Sequence, residues 1–223
     1  MVLLTKSTRS LDLANNTLTS LSKIKVDAPG GILFENNTLP ALAFLEMSAN
    51  LTELPQQFLT GNLTSLTTLV LDGNQLKEFP DTKLAPQLKN LSLNSNNIGN
   101  FSNRDYPLLE ALDLGTNPGA IFLDNDLPNL RYLDLYEYEL TEFSPSNKVP
   151  RLEELLLFSN QLTEFHNSEL ELQLRTLDLS DNQITSFSNR NFPLLTTLIL
   201  DDNPLASFED NSFPQLTSMS LVY

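Results

Sequence analysis

The apolar positions of this chain recur in one frame. In "LTTLVLDGNQLKEF", residues 66–79, leucines fall at 66, 69, 71 and 76, an asparagine at 74 and a phenylalanine at 79. The alternation around Leu69 and Leu71 predicts a short strand with every second side chain turned inward. With the middle leucine of L-x-x-L-x-L as marker, the frame falls at Ile24, Leu45, Leu69, Leu91, Leu112, Leu133, Leu155, Leu177, Leu198 and Met219. The steps are 21, 24, 22, 21, 21, 22, 22, 21 and 21 residues, and a partial unit, "LDLANNTL", begins at Leu11. One three-residue strand cannot bury its own apolar face. Stacked copies form a parallel sheet with a continuous core, so the expectation is one solenoid over residues 1–223.

The returning half of each unit has a signature of its own. Phe79, Phe101, Phe143, Phe165, Phe187 and Phe208 share a slot, and Leu84, Tyr106, Leu170, Phe192 and Phe213 follow five residues later. The first set predicts an aromatic spine. Prolines after the second, as in "NFPLL" and "SFPQL", keep the return to loops and single helical turns. Asn74, Asn96, Asn117, Asn160, Asn182 and Asn203 occupy the ninth position, where the chain leaves the strand and exposes backbone N–H and C=O groups inside the stack. A carboxamide is both donor and acceptor, so this column predicts a structural ladder. "LDLYEYELTEF" breaks it by placing Tyr138 in the asparagine slot.

The repeat resembles the leucine-rich-repeat family over nearly the whole chain. That resemblance implies an α/β solenoid, a horseshoe or arc of about ten 21–22-residue repeats. Its parallel β-sheet would line the concave face, and loops and 3-10 turns the convex one. The phenylalanine spine, the Asn/Thr-rich composition and the scarcity of lysine resemble most the ectodomains of leucine-rich-repeat receptors, including receptor-like kinases. The resemblance implies a protein or peptide ligand on the concave face and an extracellular or cell-surface location. Such ectodomains usually carry cysteine-bearing caps, and this chain has no cysteine. It ends at "SMSLVY", within a strand pattern and uncapped, so a fragment of a longer chain is expected, with oligomerisation through open ends as a related outcome. The alternatives are a cytoplasmic scaffold or regulatory subunit built of similar short repeats, and a structural adhesion protein.

Composition narrows the chemistry. Hydrophobic residues make up 40% and charged residues 18%, the balance of a folding chain. Without cysteine there are no disulfides, thiolate metal sites or cysteine nucleophiles. No apolar run approaches the length of a membrane span, and "MVLLTKSTRS" is too short in its apolar part for a signal peptide. The net charge of −15 is concentrated in residues 101–223, which carry 6 Lys+Arg against 20 Asp+Glu, so basic partners are expected and nucleic acid is not. A single histidine, His166, and 7 glycines without a phosphate loop leave no catalytic constellation, so no enzyme and no cofactor are expected. Asp113 with Asp134, and Asp181 with Asp202, fall in equivalent slots of adjacent repeats; solvated carboxylates are the ordinary reading and no metal is assigned. Sequons occur at Asn15, Asn36, Asn50, Asn62, Asn90 and Asn100. Of these, Asn15, Asn36, Asn62 and Asn100 are the candidate glycan acceptors, because Asn50 falls in the ladder column.

Residues alternating with the buried leucines should face solvent, and most are small or polar. Two adjacent repeats differ. They offer Tyr132, Asp134, Tyr136 and Glu137, then Glu153, Glu154, Leu156 and Phe158, exposed aromatic and aliphatic groups that folding does not require. Tyr gives large contact area at low entropic cost, so this patch with its acidic border is the expected partner-binding site. Tyr138 is expected to give up its ladder rung to reshape the patch edge.

Overall fold

The structure is a computed structural model. It describes residues 2–4, 20–26, 42–48, 51–54, 65–79, 86–119, 121–165 and 168–222, the first two stretches by their backbone alone. The partial unit at Leu11, Asn15, Asn36, Asn50, Asn62, Leu84 and His166 lie outside the described residues.

Every strand predicted by the frame is present, in one parallel sheet whose spatial order follows chain order. The strands are β1 (Val2–Leu4), β2 (Ser20–Val26), β3 (Phe44–Ser48), β4 (Thr68–Val70), β5 (Asn90–Ser92), β6 (Ala111–Asp113), β7 (Tyr132–Asp134), β8 (Glu154–Leu156), β9 (Thr176–Asp178), β10 (Thr197–Ile199) and β11 (Ser218–Ser220). From Leu45 to Met219 the marker residues pair with one another in unbroken register. The exception is Ile24. It pairs with Met47, Leu21 pairs with Leu45, and a register irregularity lies between. The 24-residue step that follows Leu45 in the frame stays in register, because Leu45 pairs with Leu69.

The core runs lengthwise behind the sheet. Leu69, Leu91, Leu112, Leu133, Leu155, Leu177 and Leu198 are buried, as are Leu71, Leu93, Leu114, Leu135, Leu157, Leu179 and Leu200 two residues on. Each contributes roughly 1.5–3 kcal/mol on full burial, and only neighbouring repeats supply that burial. Behind them rings stack at 6.0–6.4 Å through Phe101, Phe122, Phe143 and Phe165. Phe122 is a spine member that the frame also contains and the sequence reading passed over. The return segments are turns and loops; the single α-helix among the described residues, α1 (Ser168–Glu171), is one turn long.

The asparagine ladder is regular. Asn96 donates to the carbonyls of Leu71 and Leu93, each at 2.9 Å, and accepts the Leu76 N–H at 3.1 Å. Asn74, Asn117, Asn160, Asn182 and Asn203 repeat this bridge between a turn and its predecessor. A second ladder on the return side was not anticipated. Asn125 donates to Phe101 O at 3.1 Å, Asn147 to Phe122 O at 2.9 Å and Asn211 to Phe187 O at 2.9 Å.

Candidate functional site

Strand register sorts the solvent-facing side chains into columns. Asn90, Ala111, Tyr132, Glu154 and Thr176 form one column, and Ser92, Asp113, Asp134, Leu156 and Asp178 the next. Beyond the strand ends, Asn94, Gly115, Tyr136, Phe158 and Ser180 occupy the corresponding place in each repeat. Tyr132, Tyr136, Leu156 and Phe158 are half-buried, and Glu137 and Glu154 exposed, so these six lie on one continuous face.

The aromatic pair on this face is held in place. The rings of Tyr136 and Phe158 are parallel to within 7°, with centroids 4.8 Å apart, close to the spacing of neighbouring strands. On its other side Tyr136 lies across Gly115, where a Cβ would sit 2.2 Å from the ring. Its hydroxyl reaches Asn94, which donates at 3.5 Å. Gly115 is therefore the space that lets Tyr136 lie flat, and Phe158 covers the face left open.

Beneath the rings sits a row of carboxylates with a structural duty. Asp113, Asp134 and Asp178 each accept the backbone N–H two residues on, from Gly115 at 2.9 Å, Tyr136 at 3.0 Å and Ser180 at 3.0 Å. They cap the chain as it leaves the strand. Asp134 also accepts from the Tyr132 hydroxyl at 3.1 Å. The alternation predicts an exposed Asp134, but it is only 7% exposed, and the Tyr132 hydroxyl closes on it. That burial, with the charges of Asp113 and Asp178 added and two hydrogen bonds opposing, raises its carboxyl to about 6. Burial, and Asp134 itself, push the Tyr132 phenol well above its ordinary range. Asp178, which the sequence reading did not select, belongs to this row. Asp181 and Asp202, which it did, stand past the strand ends in left-handed backbone at φ 51° and 52°.

Two further expectations are corrected. Glu153 is not a free border acid: Arg131 bonds to it, and Arg175 Nε lies 3.6 Å from its other oxygen. This belongs to a charge-alternating row at the leading edge of the sheet, in which Lys89 pairs with Glu110 at 2.8 Å. Tyr138 is not at the patch edge. It is wholly buried, its hydroxyl has no hydrogen-bond partner, and burial raises the phenol's pKa.

What Tyr138 does is fill a hole. Gly119 stands two residues after Asn117, in the slot where Leu76, Ile98, Leu140, Leu162 and Ile184 follow the other ladder positions. A Cβ on Gly119 would meet the Tyr138 ring at 2.0 Å. The ring thus occupies the volume of the missing aliphatic side chain. The lost rung is partly made good, since Asn160 accepts from both Tyr138 N–H at 3.2 Å and Leu140 N–H at 2.9 Å. The Leu114 and Leu135 carbonyls each keep one carboxamide donor, from Asn117 at 2.7 Å and Asn160 at 2.8 Å. Glu139 pays for the insertion with a left-handed φ of 60°, unlike its counterparts Asn97, Gln161 and Gln183.

Of the candidate glycan acceptors, Asn100 lies among the described residues. It is exposed, and the hydroxyl of its sequon partner Ser102 donates to its Oδ1 at 2.6 Å. No helix among the described residues is long and apolar enough to cross a membrane.

Comparison with known proteins fits this architecture. The family model described as Leucine Rich Repeat matches residues 173–193. No curated protein sequence matches the chain. A chain of the Toll–Spatzle complex of Drosophila superposes with a TM-score of 0.69 at 18% identity, over 97% of this chain and 33% of its own length. An internalin of Listeria monocytogenes gives 0.55 at 20% identity, over 86% of this chain and 61% of the internalin. The functional domain of InlJ from the same organism gives 0.50 at 20% identity, over 96% of this chain and 53% of that one. The chain therefore spans a third to about three-fifths of the length of these structures. At such identities the likeness is one of fold.

Proposed function

We propose that this leucine-rich-repeat solenoid is a recognition module that binds a protein or peptide through the concave face of its sheet. The contact centres on Tyr132, Tyr136, Leu156 and Phe158, with Asp134 beneath them and Glu137 and Glu154 at the rim. One observation carries the reading. The Tyr136–Phe158 pair is stacked, half-exposed and seated on a glycine, beside a half-exposed Leu156, on a face whose other large apolar groups, Phe44, Val70 and Ile199, stand apart from this cluster. The rings lie outside the core behind the sheet. Preorganised aromatic side chains beside an aliphatic one are what interface hot spots are made of. The reading is non-enzymatic, because a shape-reading sheet face binds without reacting groups.

The finer reading is the ligand-binding region of a leucine-rich-repeat receptor at the cell surface, with Asn100 as a glycan acceptor. The fold likeness to a chain of the Toll–Spatzle complex supports it. A cytoplasmic scaffold is the alternative, favoured by the absence of cysteine. The test of recognition is selection of binders from a random peptide library on the intact chain. Binders that lose at least ten-fold in affinity on Phe158→Ala, with the fold intact, support the reading; selection yielding only binders indifferent to that change overturns it.

A further inference from the structure

We propose that the occupant of this face is a basic peptide segment, which seats a lysine or arginine side chain over Asp113 and Asp134 and an apolar one against Leu156 and Phe158, and which mild acidification releases. The proposal rests on the recognition reading above and specifies its partner and regulation.

Charge complementarity chooses the occupant. From β3 to β11 the solvent-facing strand positions and the residues just past them include Glu46, Asp72, Asp113, Asp134, Glu154, Asp178 and Asp201, and no lysine or arginine. Lys89, Arg131 and Arg175 stand at its leading edge and are engaged by Glu110 and Glu153. From β3 to β11 the face is therefore acidic with no cation of its own. Asp113 and Asp134 are paired neighbours on adjacent strands, and Asp178 lies one strand beyond Leu156. The first oxygens of all three are taken by backbone N–H groups, which hold the carboxylates in place whether or not a ligand is present. A cation set against Asp113 and Asp134 relieves like-charge repulsion in a desolvated place, where electrostatic terms are larger than in water, and Asp178, two strand spacings from Asp134, adds to the attraction. The stacked rings beside them offer their faces and edges to the aliphatic stem of the same side chain.

Acid release follows from Asp134. The groups facing it are Tyr132 on its own strand, the Tyr136 N–H just past it, Asp113 on β6, the apolar Leu156 on β8 and Asp178 on β9. None is cationic. A ligand cation binds the ionised form, and a proton on Asp134 competes with it. With a carboxyl that titrates at about 6, a ligand that requires the ionised form loses affinity at pH 5 by a factor of about 11, and almost none at pH 7.5.

The experiment uses a phage-displayed library of random peptides about twelve residues long, panned on the intact chain at pH 7.5. Clones are sorted by sensitivity to Phe158→Ala, then measured at pH 7.5 and 5.0 on wild type and Asp134→Asn. The expected result is that the Phe158-sensitive clones carry Lys or Arg next to an apolar residue. They should weaken about ten-fold between the two pH values on wild type and show a flat, weaker profile on Asp134→Asn. Phe158-sensitive clones that are neutral or acidic, that hold equally at pH 5.0, or that keep their pH response on Asp134→Asn overturn the proposal and leave recognition standing. Basic clones indifferent to Phe158→Ala mean diffuse attraction to an acidic chain and overturn both.

Discussion

The Gly119–Tyr138 pair permits a double-mutant cycle whose outcome is set by packing. Tyr138→Asn removes a fully enclosed ring, and large-to-small core changes of this size cost roughly 3–5 kcal/mol. The new carboxamide can reach the Leu114 and Leu135 carbonyls for about 1 kcal/mol each, and removal of the unpartnered hydroxyl helps. Its own oxygen, however, finds its donor occupied, because the Gly119 N–H is held by Asn117 O at 2.7 Å. The net expectation is a loss of about 2 kcal/mol. Gly119→Leu alone forces a side chain into the ring and should cost about 3 kcal/mol. Together the two changes rebuild the ordinary repeat, a leucine in the apolar slot and an asparagine in the ladder. The double variant should fall within about 1 kcal/mol of wild type, a coupling of about 4 kcal/mol, at or above the top of the range for contacting residues. Urea denaturation followed by far-ultraviolet circular dichroism, on all four proteins, measures it. Additive losses would refute the idea that the tyrosine stands in for the missing aliphatic side chain.

Four further outcomes are expected. Asn160→Ala should cost more than Asn182→Ala, by about 1 kcal/mol in the same denaturation assay, because Asn160 serves an extra N–H where the ladder is broken. Gly115→Ala should displace Tyr136 from its stack on Phe158, seen as altered ring-current shifts by NMR, while changing stability by less than about 1 kcal/mol, since the ring can move into solvent. Phe122→Ala should cost roughly 3–5 kcal/mol and Phe158→Ala less than about 1, and equal losses would place Phe158 in the core. Asp134→Asn tests linkage. Its folded carboxyl titrates at about 6, above the ordinary value of 3.8, so ionisation opposes folding, and stability contributed here falls as pH rises from about 4 through 6. The variant should therefore be more stable than wild type by about 2 kcal/mol at pH 7.5 and indistinguishable from it at pH 4.

The regular features were legible because each repeats. A strand with alternating leucines, a carboxamide at its exit and an aromatic on the return are separate local signals, and recurrence at 21 or 22 residues leaves one way to stack them. Sequence alone thus determined the parallel sheet, its register from Leu45 onward, the ladder and most of the spine. It also placed Tyr132, Tyr136, Leu156 and Phe158 on the solvent side of the sheet, since they alternate with buried leucines.

Tertiary structure decided where the repeat departs from itself. Tyr138 and Gly119 look like separate lapses in consecutive units; only stacking shows that one fills the space left by the other, because the contact is between repeats and the side chain's direction is not written in its own frame. The same holds for Gly115 beneath Tyr136. Burial of Asp134 likewise appears only in the folded sheet: a strand slot that alternation assigns to solvent is 7% exposed, with the Tyr132 hydroxyl bonded to it. Glu153 reads as a border acid along the chain and as the partner of two guanidinium groups across it. Period fixes which residues turn inward, since it is a property of one chain segment; volume, desolvation and charge pairing belong to segments about 22 residues apart, and they exist only after the coils have stacked.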